Sequence, residues 1–198
     1  ELAATDVTML NGTGDGESHP GSVLALARFG EAPCVVVGQD RGLQDVPLGP
    51  AALREVRRGV RLARELRLPL VSVIDTPGAA LSKEAEERGM APEIARTLSE
   101  LLTLPTPTVS LLMGQGTGGI ALALTPADRV LASQHAWLAP LPPEGASAIM
   151  HRTTERAPEL ASAQGIRSAD LLADGIVDRV VPEPDDPAAE PDAFCAAL

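Results

Sequence analysis

Short apolar runs alternate along the chain with longer segments of helical periodicity. Runs rich in aliphatic and β-branched side chains, each the length of a buried strand, occupy residues 23–29, 34–38, 70–74 and 109–113. Apolar side chains recur at three- and four-residue steps in residues 50–67, which predicts an amphipathic helix, and residues 82–104 predict a second one. The alternation of strands and helices predicts an α/β fold with parallel strands and right-handed crossovers.

The strand over residues 109–113 leads into a glycine-rich segment, with glycines at 114, 116, 118 and 119. Apolar helix formers follow at 120–124, so the pattern predicts a strand, a tight glycine turn and a helix. The N–H groups at a helix start have no partner inside the helix. They can hold a phosphate or the oxyanion of a reaction intermediate, although a packed glycine turn without a ligand is equally compatible with the pattern.

Two nucleotide-binding motifs are disfavoured for this segment. A Walker loop needs Lys and Ser or Thr after its last glycine, and Ile120 and Ala121 stand there instead. The spacing of Gly114, Gly116 and Gly119 matches G-x-G-x-x-G, but a dinucleotide fingerprint normally opens its domain. This segment lies past the middle of the chain.

A second loop, DTPGA at 75–79, follows the predicted strand at 70–74. Because the carboxyl ends of parallel strands meet at one edge of a sheet, this loop and the glycine turn are expected on the same side.

The remaining segments are shorter or more polar. Residues 31–33 predict a hairpin turn, residues 39–50 a loop and residues 129–131 a short strand. Helices are predicted at 146–151, 155–163 and 168–173, the last capped by Ser168, and a strand at 176–181. A flexible N-terminal segment at 1–21, one domain at 22–184 and an acidic, proline-rich tail at 185–198 complete the expected organisation.

Composition narrows the classes of function. The net charge of −11 disfavours a nucleic-acid binder and an anionic membrane surface. No apolar run approaches the ~20 residues of a membrane span, and no secretory signal pattern begins the sequence. Cys34 and Cys195 form neither a disulfide framework nor a metal motif, and His135 lacks a second ligand at metal spacing. We therefore expect free thiols, no metal and a reduced, cytoplasmic setting.

Two groups of charged residues have alternative interpretations. Arginines on the helix at 50–67 form either a solvated face or a basic patch for CoA phosphates or an acidic partner: Arg54, Arg57, Arg58, Arg61 and Arg64. Glu84, Glu86 and Glu87 suit a helix start, and they could also suggest acid–base catalysis.

A series of motifs occurs in an order typical of one family. These are DTPGA at 75–79, EAEERG at 84–89, EIAR at 93–96, the glycine turn with ALAL and ADRV, PPEGASAI at 142–149, APEL at 157–160, and ADLLADGIVDRVVPEP at 169–184. Together they resemble the alpha-type half of the carboxyltransferase of biotin-dependent acetyl-CoA carboxylase. The resemblance covers about residues 34–184.

The resemblance implies a crotonase (ClpP/crotonase-like) fold, in which repeated ββα units form a superhelix. It implies transfer of CO2 from carboxybiotin, held on a biotin carboxyl carrier protein, to acetyl-CoA, giving malonyl-CoA for fatty acid synthesis. A beta-type half would supply most of the acyl-CoA pocket, so a homo- or hetero-oligomer is expected. Helix stripes at 53–66 and 94–102 are candidate contact surfaces.

The resemblance also implies a site. The backbone N–H groups of Gly119 and Ile120 would form the oxyanion hole for biotin. The residues expected to line the substrate site are Gly116, Thr117, Gly118, Pro77, Gly78 and Ala79.

Five positions depart from the family pattern. Ile120 replaces the second glycine of the hole, Gln115 a glutamate, Leu81-Ser82 a Pro-Gly pair, and Pro142 a serine. A glycine at 120 is therefore expected to keep or raise activity.

Two other functions stay open. A crotonase-type acyl-CoA hydratase or isomerase would need glutamates positioned near the hole, and the available ones are Glu84, Glu86, Glu87 and Glu144. A non-catalytic half that binds a partner or the carrier protein is the other.

Overall fold

The computed structural model describes residues 4–39, 42, 47–186 and 189–197. Within these residues one sheet holds β1 (Thr5–Met9), β2 (Ser22–Phe29), β3 (Ala32–Gln39), β4 (Leu70–Thr76), β5 (Thr108–Thr117), β6 (Arg129–Ser133), β7 (Trp137–Ala139) and β8 (Arg179–Val181). Its order is β1-β2-β3-β4-β5-β6-β8, and β7 pairs with the end of β5. Half of the loop predicted at 39–50, residues 40, 41 and 43–46, lies outside the described residues.

Helices follow most of the strands. They are α1 (Pro50–Leu66), α2 (Lys83–Glu87), α3 (Met90–Leu102), α4 (Gly118–Leu124), α5 (Pro143–His151), α6 (Ala157–Gln164), α7 (Ser168–Ala173) and α8 (Pro191–Ala197). Two ββα units are evident, β2-β3-α1 and β6-β7-α5. The predicted α/β architecture is confirmed. None of the described helices combines the length and apolar character that a membrane crossing requires.

The centre of the sheet is parallel. Strands β2 and β3 form the predicted antiparallel hairpin, and β3, β4, β5, β6 and β8 then run parallel. Leu70 pairs with Thr108 and Ile74 with Leu112, so β4 and β5 begin at the same level. The segments that leave β4 and β5 therefore emerge at the same edge of the sheet.

Helix α1 packs its apolar stripe on its own sheet. Leu53, Val56 and Val60 are buried in the core. Gly59 allows this close approach, because a Cβ there would lie 2.5 Å from Cγ1 of Val37. The prediction that the stripe at 53–66 is a contact surface is therefore wrong, apart from the exposed Leu66 at its end.

The second predicted stripe belongs to a helix that the structure divides. Residues 82–104 form α2 and α3, because Gly89 adopts a left-handed conformation (φ +89°) between them. On α3, Ile94 packs against the core and Leu101 is buried, while Leu102 is exposed. Only Leu102 of this stripe is left as an exposed large apolar side chain.

The two ends of the chain contain elements that their sequences do not predict. Strand β1 replaces part of the flexible segment expected at 1–21, and it pairs antiparallel with β2. All its side chains are exposed, so no buried face creates an apolar alternation in the sequence. Helix α8 lies within the acidic, proline-rich tail at 185–198, where no helix was predicted, and it also buries no side chain. The domain boundaries at 22 and 184 stay predictions.

The segment after α4 differs in detail from the prediction. Strand β7 was not predicted, and α5 begins at Pro143, before the expected residue 146. The predicted helix at 155–163 is α6, and the final strand is the shorter β8. Ser168 is the first residue of α7, not its cap, since its hydroxyl donates to the Gln134 carbonyl at 2.5 Å.

Candidate functional site

The glycines at 114 and 116 lie inside strand β5. The strand continues to Thr117, so the tight turn predicted over residues 114–119 is wrong, and the chain changes direction only where α4 begins at Gly118 (φ +71°). A Cβ at Gly114 would stand 2.8 Å from Oδ1 of Asp75, and one at Gly116 would stand 2.8 Å from Leu112 and Leu138 side-chain atoms. These two glycines therefore permit close packing of neighbouring strands.

The N-terminus of α4 has no side-chain cap. Thr117 occupies the N-cap position in an extended conformation, but its side chain makes no capping hydrogen bond. Its hydroxyl accepts a hydrogen bond from the Gln115 side-chain amide at 3.1 Å instead. The N–H groups of the first turn, at Gly118, Gly119 and Ile120, have no acceptor inside the helix. They are available as donors to an anionic oxygen.

Gly119 and Ile120 occupy different environments. Ile94 of α3 packs against Gly119, where an added Cβ would lie 3.0 Å from the Ile94 Cδ1 atom. The Ile120 side chain is 1% exposed and belongs to the hydrophobic core. The departure from the family glycine is thus accommodated by burying the isoleucine under the helix. A return to glycine would therefore remove core packing, while the expected effect on activity stays a prediction.

The loop at 77–79 lies beside this helix start. Gly78 adopts φ +114°, and the position of a Cβ there is 3.4 Å from the Thr117 carbonyl oxygen. Its N–H donates to the Thr76 hydroxyl at 3.1 Å, while Ala79 bridges to Leu48. The structure therefore brings the 77–79 loop and the start of α4 together at one edge of the sheet, as predicted.

Asp75 joins the strands below the site, and sequence reasoning did not assign it this role. Its Oδ1 atom accepts the Gln115 backbone N–H at 2.9 Å, and its own N–H donates to the Gln39 side-chain oxygen at 3.2 Å. The ends of β3, β4 and β5 are thereby connected. The position of Asp75 directly after the predicted strand at 70–74 was the signal available in the sequence.

Three of the arginines of α1 are engaged within the protein. Arg54 and Arg57 form ion pairs with Glu93, and Arg58 donates to the carbonyl oxygens of Leu10 and Gly12. Both interpretations from sequence are therefore wrong for these three side chains, whereas Arg61 and Arg64 are exposed.

The charges around Glu93 change its titration. Burial by itself raises the pKa of the Glu93 carboxyl, but hydrogen bonds from Arg57 and Arg54 outweigh burial and lower the pKa below its ordinary value. Hydrogen bonds from Arg54 are also the main cause that lowers the pKa of Glu17. This cluster is an internally neutralised ion network.

The other candidate residues are separated in sequence from the start of α4. Glu84, Glu86 and Glu87 are exposed on α2, whose N-cap Ser82 accepts the Ala85 N–H at 3.1 Å. His135 lines a cavity of ≈ 440 Å³ with Trp137 and other residues, at the start of β7. The described residues contain no cluster of three or more His, Cys, Asp or Glu side chains arranged for a metal ion.

Sequence comparison connects this chain to carboxyltransferases. Residues 1–197 match the family "Acetyl co-enzyme A carboxylase carboxyltransferase-like". The chain is 62% identical, over 197 residues, to the "Probable biotin-dependent acyl-coenzyme A carboxylase beta3 subunit" of Mycobacterium tuberculosis, covering 98% of this chain and 40% of that protein. It is 43% identical over 183 residues to the "Acetyl-coenzyme A carboxylase carboxyl transferase subunits beta/alpha" of Salinispora arenicola, with 88% and 32% coverage.

A shorter relative is covered more fully. The chain is 35% identical over 191 residues to the "Acetyl-coenzyme A carboxylase carboxyl transferase subunit alpha" of Francisella tularensis subsp. novicida, with 92% of this chain and 61% of that protein covered. The chain therefore spans between about a third and three fifths of the length of these relatives.

Solved structures confirm the crotonase-type fold. The transcarboxylase 12S core superposes with a TM-score of 0.75 at 24% identity, over 90% of this chain and 36% of that chain. The beta subunit of Pseudomonas aeruginosa geranyl-CoA carboxylase superposes with a TM-score of 0.70 at 15% identity, over 96% and 39%. With a family match from residue 1 to residue 197, the chain belongs to the acetyl-CoA carboxylase carboxyltransferase-like family.

Proposed function

We propose that this chain is the biotin-side, alpha-type half of a carboxyltransferase that transfers CO2 from carboxybiotin on a carrier protein to an acyl-CoA. The observation that carries the proposal is the uncapped first turn of α4, placed beside the 77–79 loop. Acetyl-CoA is the proposed acceptor and malonyl-CoA the product, since two of the relatives above carry acetyl-coenzyme A carboxylase in their names.

The residues of the site fit an oxygen that gains negative charge. The N–H groups of Gly119 and Ile120 belong to the first turn of a helix, where unpaired donors and the helix dipole both favour an anion. A Cβ at Gly118 would meet only the Pro140 carbonyl oxygen, at 3.9 Å, so little of the protein crowds that face. A planar ureido group can therefore be accommodated next to the two donors.

Bound carboxybiotin would supply the CO2 for the reaction. The part of this chain is to donate hydrogen bonds from Gly119 and Ile120 to the biotin ureido oxygen as its charge develops. Gly116, Thr117 and Gly118 would line the pocket on one side, and residues 77–79 on the other. Donors held in the first turn of a helix that directly follows a strand need no rearrangement during the reaction, which is the condition for effective electrostatic stabilisation.

The settings of Glu93, Asp75 and the α2 glutamates disfavour their use by a hydratase or isomerase. Such an enzyme needs a carboxylate free to exchange protons with its substrate. Glu93 forms ion pairs with Arg54 and Arg57, and Asp75 accepts a hydrogen bond from the Gln115 N–H. Glu84, Glu86 and Glu87 lie on the exposed surface of α2. None of these side chains has the setting of a general base.

A second carboxyltransferase half is the proposed partner, and it would complete the acyl-CoA pocket. Large apolar side chains are exposed on the loop after Ala79 and on α5: Leu81 is 96% exposed, Ile149 73% and Met150 65%. Apolar side chains this exposed are typical of a surface that a partner covers. A non-catalytic partner-binding half would use the same surface, but it would not need the uncapped helix start.

The experiment is to assemble the full-length protein with its partner half and a biotinylated carrier protein, and to measure transfer of labelled carboxyl from the carrier to acetyl-CoA. The proposal predicts malonyl-CoA formation that depends on both the carrier and the partner. A folded, assembled complex that binds the carrier but transfers no carboxyl to any acyl-CoA would support the non-catalytic alternative.

A further inference from the structure

Glu93 ties helix α3 to helix α1. It lies in the first turn of α3, and its side chain is 5% exposed. Its Oε2 atom accepts a hydrogen bond from Nη1 of Arg57 at 2.8 Å, and its Oε1 atom accepts one from Nε of Arg54 at 3.3 Å. Both arginines project from α1. Because the Glu93 carboxylate is buried, loss of the arginines would leave its charge uncompensated, so these contacts favour one position of α3.

The next residue, Ile94, connects helix α3 to the candidate site. The Ile94 side chain packs on the core, and its Cδ1 atom lies 3.0 Å from where a Cβ of Gly119 would stand. The first turn of α3 therefore contacts α1 through Glu93 and α4 through Ile94. A shift of α3 relative to α1 would move the surface on which Gly119 rests.

The ion network extends on both sides of Glu93. Arg57 also binds Glu100 at 2.6 Å, farther along α3, and Arg54 binds Glu17 at 2.8 Å, in the segment before β2. The Arg54 guanidinium also donates to the Arg88 carbonyl oxygen at 2.9 Å, just before α3 begins. Three parts of the chain are thus fixed to α1, and α3 is held at both ends.

We propose that Glu93 is a positioning residue for the oxyanion hole, acting through Ile94 on the backbone of Gly119. This inference rests on the proposed function, because it concerns the donors that the reaction would use. Glu93 touches no substrate. Its carboxylate sets the place of α3, and α3 in turn fixes how the Gly119 and Ile120 N–H groups converge on an oxygen.

A positioning role for Glu93 should affect the catalytic rate and not the affinity for substrate. Donors that act on charge developing in the transition state contribute to kcat more than to KM. A displacement of about 1 Å in a reacting group can cost about a hundredfold in rate. Loss of the Glu93 carboxylate should therefore lower kcat and leave the KM for acyl-CoA nearly unchanged.

The test compares Glu93→Gln and Ile94→Val with the parent in the full-length assembled complex. Glu159→Gln is the matched control, since it breaks an exposed ion pair with Arg156, 2.8 Å long, on α6. We expect Glu93→Gln to lower kcat about tenfold or more with KM within about twofold. Ile94→Val removes only the methyl group next to Gly119 and should produce a smaller loss of the same kind, while Glu159→Gln should change neither constant.

Amide hydrogen exchange supplies a readout that does not need turnover. In the free full-length protein, Glu93→Gln and Ile94→Val should both increase exchange at residues 118–121, and Glu159→Gln should not. Unchanged exchange and unchanged kcat in both variants would overturn the positioning role.

The two proposals fail in different ways. If the parent complex transfers no carboxyl group, the proposed function is wrong, whereas faster exchange in the variants would still establish the coupling from Glu93 to α4. If Glu93→Gln does not fold, α3 depends on the Glu93 ion pairs for its place, and Ile94→Val then tests whether α3 positions Gly119, because it leaves the ion network intact; unchanged kcat and exchange in Ile94→Val would overturn the proposal.

Discussion

The Asp75 carboxylate accepts the backbone N–H of Gln115 at 2.9 Å, so the end of β4 and the strand that leads into α4 form one unit. Gly114 makes this possible, since a side chain there would occupy the space of the carboxylate. The two segments that the site requires are thus held together below the site, by a contact that involves no substrate.

Replacing Asp75 with alanine should loosen this unit. The part-buried Gln115 N–H would lose its acceptor, and an unsatisfied donor costs about 1–3 kcal/mol, toward the lower end where water has partial access. We expect a fall of that size in the free energy of unfolding, measured by urea denaturation. Asp75→Asn keeps an oxygen acceptor and should lose less. Equal losses in the two variants would contradict the role given to the hydrogen bond.

Gly114→Ala tests the same contact from the other side. The new methyl group would stand 2.8 Å from Oδ1 of Asp75, and strand backbone limits relief, so a loss of about 1–3 kcal/mol is expected. Gly145→Ala in α5 is the control, because its Cβ would meet Leu141 at an ordinary 3.5 Å. Alanine is also the better helix former, so that variant should be neutral or about 1 kcal/mol more stable. Thermal unfolding of both variants measures the difference.

Ile120→Gly should destabilise the protein. The isoleucine side chain is almost fully buried, and truncating such a side chain costs about 2–5 kcal/mol, with about 1 kcal/mol more for glycine in a helix. Ile120→Val keeps most of the packing and should cost about 0.5–1.5 kcal/mol. A stable Ile120→Gly variant with full or raised activity would show that the core does not need this side chain.

Acid should weaken the ion network of α1 and α3. The pKa of Glu93 is lowered in the folded protein from an ordinary 4.5, because the arginine hydrogen bonds outweigh its burial. Its contribution to stability is therefore present above pH 4.5 and is lost as the pH falls through the lower folded pKa. Denaturation midpoints of the parent and of Glu93→Gln should differ most at pH 7 and converge below pH 4.5. A constant difference across this range would exclude Glu93 as the titrating group.

Sequence patterns predicted the sheet and most helices because those elements bury one face. The stripe of α1 and the β-branched runs of β3 and β4 carry that signal directly. Strand β1 and helix α8 bury no side chain, so no periodicity marks them. The extension of β5 through Gly114 and Gly116 was not predicted, because glycines usually indicate turns. In the structure these two glycines lie within a strand, where neighbouring side chains leave no room for a Cβ atom.

The candidate site was predictable to a similar degree. Alternation of strands and helices was sufficient to place the 77–79 loop beside the start of α4. The lack of a cap at Thr117 could not be predicted, because a threonine at an N-cap usually bonds the helix N–H groups, and only the structure shows its hydroxyl bound by Gln115. The ion network around Glu93 joins segments distant in sequence, and no local pattern records it.

The central claim is that the N–H of Gly119 stabilises a developing charge, and the comparison of Gly119→Pro with Gly119→Ala tests it most directly. Both variants place a Cβ against Ile94, but only proline removes the N–H, and the first turn of a helix tolerates proline. The measurement is kcat for carboxyl transfer to acetyl-CoA in the assembled complex, with folding confirmed by circular dichroism. We predict that Gly119→Pro is about a hundredfold or more slower than Gly119→Ala, the usual effect of losing one oxyanion-hole donor. Equal rates in the two folded variants would contradict the claim.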